Sequence, residues 1–156
     1  TPLSLAFTVT DPGTPTPTPT STPIPTATPT PTPPSPSGYS GQYFDNKTLT
    51  GTPKLTRNDT TINFNWGSGS PNALIPPDNF SARWTKTETF VAGTYKFSMT
   101  GDDGVRLYID NVLVIDKWID QPATTYTITK TLSAGSHTIK MEYYESGGGA
   151  VAKLSY

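Results

Sequence analysis

The chain has 156 residues and a net charge of −1, and charged side chains make up only 15% of it. That length allows one ordinary domain plus an extension, and near-neutrality excludes broad electrostatic attraction to nucleic acid or anionic lipid. Cysteine is absent, which excludes disulfides and thiol chemistry, and no apolar run approaches the ~20 residues of a membrane-spanning helix.

Residues 1–13 read as an N-terminal strand. Leu3, Leu5, Phe7 and Val9 fall on one face and Ser4, Ala6, Thr8 and Thr10 on the other, the period of two of a half-buried strand. The segment reads either as a strand donated to another molecule or as the last strand of a preceding domain. The chain begins at Thr1 rather than Met, so a processed or tandem fragment is expected. Residues 14–38 form a Thr/Pro-rich linker. Alternating prolines remove backbone donors and fix φ, so an extended polyproline-II arm is expected, roughly 75 Å long. Its hydroxyls at Thr14, Thr16, Thr18, Thr20, Thr26, Thr28, Thr30 and Thr32 make it a candidate O-glycosylated stalk.

Residues 39–156 read as all β. Ile62, Phe64 and Trp66 alternate with asparagines, and Tyr95, Phe97 and Met99 share one face. Val105, Leu107 and Ile109 share another, and Asp110-Asn111 makes a short turn into Val112–Ile115, the pattern of a hairpin. Tyr126 and Ile128 oppose Thr125, Thr127 and Thr129; Ile139, Met141 and Tyr143 oppose Thr138, Lys140 and Glu142. Many short strands punctuated by Gly and Pro predict an antiparallel sandwich or barrel.

Chemistry concentrates in Gly101-Asp-Asp-Gly104. Adjacent carboxylates repel unless something positive lies between them, and glycine-flanked oxygen donors suit a hard cation such as Ca²⁺. The alternative at this point is a turn that only reverses the chain. Asp116, Asp120 and Glu145 are further acidic groups that could help hold a metal. No enzyme is expected. The only histidine, His137, sits in a turn entering a strand and reads as structural. No Gly-x-Ser-x-Gly elbow occurs. Gly67-Ser-Gly-Ser-Pro71 lacks the Lys and helix of a phosphate cradle, and neighbouring carboxylates do not flank a bond as hydrolysis requires.

Taken together, Trp66-Gly-Ser-Gly-Ser-Pro71, Phe80-Ser-Ala-Arg-Trp84, Ala92-Gly-Thr-Tyr95, Gly101–Asp110, Val114-Ile-Asp116 with Trp118, Ala134-Gly-Ser-His137 and Glu142-Tyr-Tyr-Glu145 resemble a PA14 domain. The resemblance spans about residues 39–156 and implies a PA14-type β-sandwich in an extracellular or cell-surface protein. It further implies a cis peptide between Asp102 and Asp103 and a Ca²⁺ held by both. In sugar-binding members a late loop completes the shell, which here corresponds to Ser146, Gly147 and Gly148, without the amide side chain those members carry. Trp118 and Asp120 are candidate ligand contacts beside it.

Two functions are expected from these elements. The first is a subunit of an extracellular filament, assembled head-to-tail as Leu3, Leu5, Phe7 and Val9 insert into a neighbour's sandwich. The second is a Ca²⁺-dependent carbohydrate-binding or adhesion module on a stalk. The partners expected are copies of the same chain, and glycans.

Overall fold

The computed structural model describes residues 37–156, together with Pro2 and Thr8 singly. The interface candidates Leu3, Leu5, Phe7 and Val9, and the arm with its eight threonines, lie outside the described residues. The described residues 37–156 fall within one compact unit.

The described residues form ten strands and no helix. They are β1 (Tyr39–Phe44), β2 (Leu55–Asp59), β3 (Asn63–Gly67), β4 (Phe80–Phe90), β5 (Gly93–Asp102), β6 (Gly104–Ile109), β7 (Val112–Lys117), β8 (Thr124–Leu132), β9 (Gly135–Glu145) and β10 (Ala150–Ser155). A six-stranded sheet runs β2-β1-β4-β9-β6-β7 and a four-stranded sheet runs β3-β10-β5-β8. Every pairing is antiparallel. The all-β sandwich expected from the alternating pattern is the fold observed.

The alternation in sequence is the alternation in space. Phe97 and Met99 on β5, and Val105, Leu107 and Ile109 on β6, are buried, while Thr94 and Lys96 are exposed. Burying one such apolar side chain contributes roughly 1.5–3 kcal/mol. β4 and β9 pair along their whole length, from Phe80 opposite Glu145 to Phe90 opposite Gly135. They form the spine of the larger sheet. The Asp110-Asn111 hairpin turn holds both residues at positive φ, 52° and 64°, the conformation a two-residue turn joining twisted strands requires.

The acidic turn does more than reverse the chain. β5 pairs only with β10 and β8, whereas β6 pairs with β9 and β7. Gly101–Gly104 therefore carries the chain from the smaller sheet to the larger one. Both strands face one core from opposite sides, so the turn spans the gap at one end of the sandwich.

One polar knot lies within the apolar core. Asp59 Oδ2 accepts from Tyr43 Oη at 2.6 Å and from Trp84 Nε1 at 2.9 Å, and Asp59 Oδ1 accepts from Arg57 Nε at 2.7 Å. Trp84 and Tyr43 are completely buried. The Arg57 guanidinium lies 4.6 Å from the Tyr43 ring centre and 5.5 Å from that of Phe64. Phe64 in turn stacks between Trp66 and Trp84, at centroid distances of 4.9 and 5.7 Å. β1 through β4 are thus tied around one carboxylate.

Candidate functional site

Three segments converge at the end of the sandwich where β5 crosses to β6. They are the crossing turn itself, the β9–β10 loop with Ser146–Gly149, and the β7–β8 loop with Trp118–Ala123. Asp102, Asp103 and Glu145 each offer a carboxylate oxygen, all within 4.8 Å of one another. The Asp102–Asp103 peptide is cis. Gly104, directly after the pair, is bare because the Tyr144 ring covers it: a Cβ there would run into the Tyr144 ring.

Backbone donors fix Asp103. Gln121 N donates to Oδ1 at 3.0 Å and Ser146 N to Oδ2 at 2.8 Å. The Gln121 side chain donates through Nε2 to the Asp103 carbonyl at 3.0 Å, and its Oε1 accepts from Tyr126 Oη at 2.5 Å. Both loops are therefore latched onto one carboxylate. Gly149 brings the far end of the β9–β10 loop against Asp102: a Cβ there would stand 3.4 Å from Asp102 Oδ2.

Glu145 is the residue the fold itself leaves unresolved. It is fully buried, and its Oε1 has no hydrogen-bond partner. Tyr143 Oη lies 2.9 Å from Glu145 Oε2 and 2.6 Å from the Asp102 carbonyl, but a phenol has one proton to donate. Burial, reinforced by the charges of Asp103 and Asp102 and opposed by the Tyr143 bond, pushes the Glu145 carboxyl up to about 7. Burial and the neighbouring Asp103 also raise Asp102. Among the described residues no Lys or Arg pairs with any of the three. Three carboxylates, one with an orphaned buried oxygen, form the donor set of a hard divalent cation. The residues present fit Ca²⁺.

The other expected contacts fall around this cluster. Trp118 is half-buried, packed on Tyr144 at 4.7 Å between centroids and capped by the Arg106 guanidinium at 4.6 Å. Asp120 accepts from Tyr144 Oη at 2.6 Å. Ser146 gives its N–H to Asp103 and its Oγ accepts from Lys47 Nζ at 3.0 Å. Gly147 and Gly148 are exposed, and Gly148 N reaches Asp78 Oδ1 at 3.4 Å. Asp116, weighed as a helper, is instead paired with Arg106 at 2.9 Å. Gln121 and Asp78 were not singled out in the sequence. Neither belongs to a recognisable spacing, because each reaches the site from a different loop.

His137 has a different task at the other end of β6. Its Nδ1 lies 2.6 Å from Asp110 Oδ2, and its Nε2 lies 3.1 Å from the Ser133 carbonyl and 3.3 Å from Ser133 Oγ. The order Ser-His-Asp is that of a nucleophile relay, yet Nε2 faces a carbonyl acceptor, and the Asp110 bond followed by the Ser133 carbonyl raises the His137 pKa. A ring donating through both nitrogens keeps no lone pair for a base. It links the β6–β7 turn to the β8–β9 turn. Asp110 is lowered, first by His137 and then by the Thr138 N–H. The raised His contributes stability that is complete below its unfolded pKa of about 6.5 and is lost as pH rises through its folded value. The lowered Asp contributes stability present above about pH 3.9 and lost as pH falls. The link is thus complete between about pH 4 and 6.5. Because the chain has one histidine, a proton NMR titration reads it alone. A midpoint above 6.5 is expected, and a midpoint at or below 6.5 contradicts the link.

The PA14 domain profile matches residues 35–156. The chain belongs to the PA14 domain family. Over 122 residues the PA14 chain is 43% identical to the anti-sigma-I factor RsgI3 of Acetivibrio thermocellus, covering 77% of this chain and 19% of that protein. A solved structure of an anti-sigma factor domain-containing protein superposes with a TM-score of 0.71 at 42% identity, covering 76% of this chain and 42% of that one. A second, from Clostridium clariflavum, gives 0.69 at 42% identity, over 75% and 40%. The chain therefore spans less than half the length of each of these relatives.

These relatives overturn the expected function. Proteins 42–43% identical over 75–77% of this chain are named as an anti-sigma-I factor or as anti-sigma factor domain-containing proteins, which points to a regulatory setting. The filament or fibril subunit, its head-to-tail assembly from copies of itself, and the adhesion module are each corrected by that finding. The physical reason for the error is plain. A period-two apolar face shows that a strand needs covering, but carries no information about what covers it. The same relatives are not named as enzymes.

Proposed function

We propose that this PA14 domain is the sensing module of an anti-sigma-type regulator, facing the outside of the cell and carrying no catalytic role. The observation that supports it most is the 43% identity to RsgI3 over 122 residues. At the sensing end, Asp102, Asp103 and Glu145 would hold Ca²⁺. The ion would supply open coordination positions for a ligand's adjacent oxygen donors. This chain's own residues prepare the place. Gln121 N and Ser146 N fix Asp103, Tyr143 and the core exclude water from Glu145, and the exposed Gly147 and Gly148 leave the approach clear.

The test is a domain exchange. The matching segment of RsgI3 is replaced by residues 35–156, and release of the relative's sigma factor is read with a transcriptional reporter under the relative's inducing condition. A chimera that still responds, and that loses the response on Asp103→Ala, supports the reading. A chimera with identical output in both forms contradicts it.

A further inference from the structure

The outer face of the four-stranded sheet holds a second opening, away from the carboxylate cluster. It is a cavity of about 380 Å³ where β3 parts from β10. Thr61, Asn63, Ser98, Thr100, Lys153 and Ser155 supply its polar lining and Leu154 its open apolar surface, with the buried Ile62 behind them. Register explains the grouping. Asn63 lies opposite Lys153, Lys153 opposite Thr100, and Ser155 opposite Ser98, so outward side chains of three strands meet in two adjacent rows. No acidic residue lines the cavity. Among the described residues Lys153 Nζ has no carboxylate within ion-pair distance. Among the described residues the side chains of Asn63, Ser98 and Ser155 likewise make no hydrogen bond within the protein, whereas their neighbour Thr100 is paired with Thr125 at 2.8 Å.

We propose that this cavity is a binding site for a polyhydroxy carboxylate. The charge argument is direct: a single unpaired ammonium in an acid-free hollow selects a single negative group. Two serine hydroxyls and one amide around it can each donate and accept, which matches a ligand bearing several hydroxyls rather than a bare anion. Leu154, half-buried at the cavity wall, offers the apolar surface open to the ligand's carbon skeleton, since Ile62 is closed off in the core. The site needs no metal and stands independently of the cation cluster, so the two fail separately.

The experiment is an amide NMR titration of the full 156-residue chain at low salt in EDTA, with three probes. Sodium gluconate carries both the charge and the hydroxyls, sorbitol only the hydroxyls, and sodium sulfate only the charge. Gluconate is expected to shift the amides of Asn63, Ser98, Lys153 and Ser155, with a dissociation constant of roughly millimolar order. Lys153→Met is expected to weaken it roughly ten-fold, the loss of one charge-assisted hydrogen bond, with the rest of the spectrum unchanged. Asp103→Ala is expected to leave it intact. Sulfate binding as well as gluconate, absence of gluconate shifts at these residues, or unchanged affinity in Lys153→Met would each overturn the proposal.

Discussion

Asp59→Ala is expected to remove about 3 kcal/mol of stability, the lower end of the cost of breaking a buried charged pair. Three donors converge on this one carboxylate: Tyr43 Oη, Trp84 Nε1 and Arg57 Nε. Alanine leaves the fully buried Tyr43 O–H without its acceptor and reduces the buried Trp84 N–H to its longer contact with Tyr43 Oη at 3.2 Å. A buried unmatched donor costs about 1–3 kcal/mol. The Arg57 side chain keeps about a third of its surface in water, which offsets part of its loss and is why the lower end applies. For a domain of this size the melting temperature should fall by roughly 10–15 °C. Tyr43→Phe keeps the carboxylate and two of its donors but also removes the acceptor of Arg57 Nη2 at 2.8 Å, so about 1–2 kcal/mol is expected. Thermal unfolding of both variants checks the order. A loss below 1 kcal/mol for Asp59→Ala would mean that water replaces the carboxylate and that the knot contributes little.

Ca²⁺ is expected to raise the melting temperature of the intact domain by roughly 10 °C. A ligand that binds only the folded state stabilises it by RT ln(1 + [L]/Kd). With a Kd of about 0.1 mM, at the tight end for extracellular Ca²⁺ modules, 10 mM Ca²⁺ is 100-fold above Kd and contributes about 2.7 kcal/mol. Glu145→Gln separates this from general salt effects through its sign. In EDTA the variant should be more stable than the parent, because it removes one of three crowded negative charges while keeping an oxygen for Tyr143 Oη, now 2.9 Å from Glu145 Oε2. In Ca²⁺ it should be less stable than the parent, because the ion has lost a charged donor. Equal shifts with Ca²⁺ and Mg²⁺ in both proteins would instead identify non-specific screening.

The fold was readable because burial follows alternation so closely. Phe97, Met99, Val105, Leu107 and Ile109 each lie on the face their spacing indicates, and Asp110-Asn111 makes the hairpin turn its dipeptide announces. What the pattern could not carry was sheet membership. Tyr95–Ile109 reads as two strands around a turn, but which strands they pair with depends on segments 30 to 40 residues away, such as β9, from Ile109 opposite Ile139 to Gly104 opposite Tyr144. The site was half readable. Asp102 and Asp103 are neighbours in sequence, and they meet the cluster as a pair. Glu145 stood out only as one acid among several. The period of two of Ile139, Met141 and Tyr143 extends to Glu145 and turns it inward, but that β9 ends beside Asp102 and Asp103 is encoded by no local spacing. Gln121 was invisible for the same reason: its backbone and side chain both close on Asp103 from a separate loop. Regulation, in contrast with fold, left no mark in composition or periodicity, and entered only through identity with anti-sigma proteins.

The most direct test of the cation centre is diffraction from residues 35–156 crystallised with Ca²⁺, located by its anomalous signal. One ion is expected at the cluster, with carboxylate oxygens of Asp102, Asp103 and Glu145 at about 2.3–2.6 Å, and Glu145 Oε1 no longer without a partner. A cluster with no ion at saturating Ca²⁺, or an ion bound only elsewhere on the domain, would contradict the account.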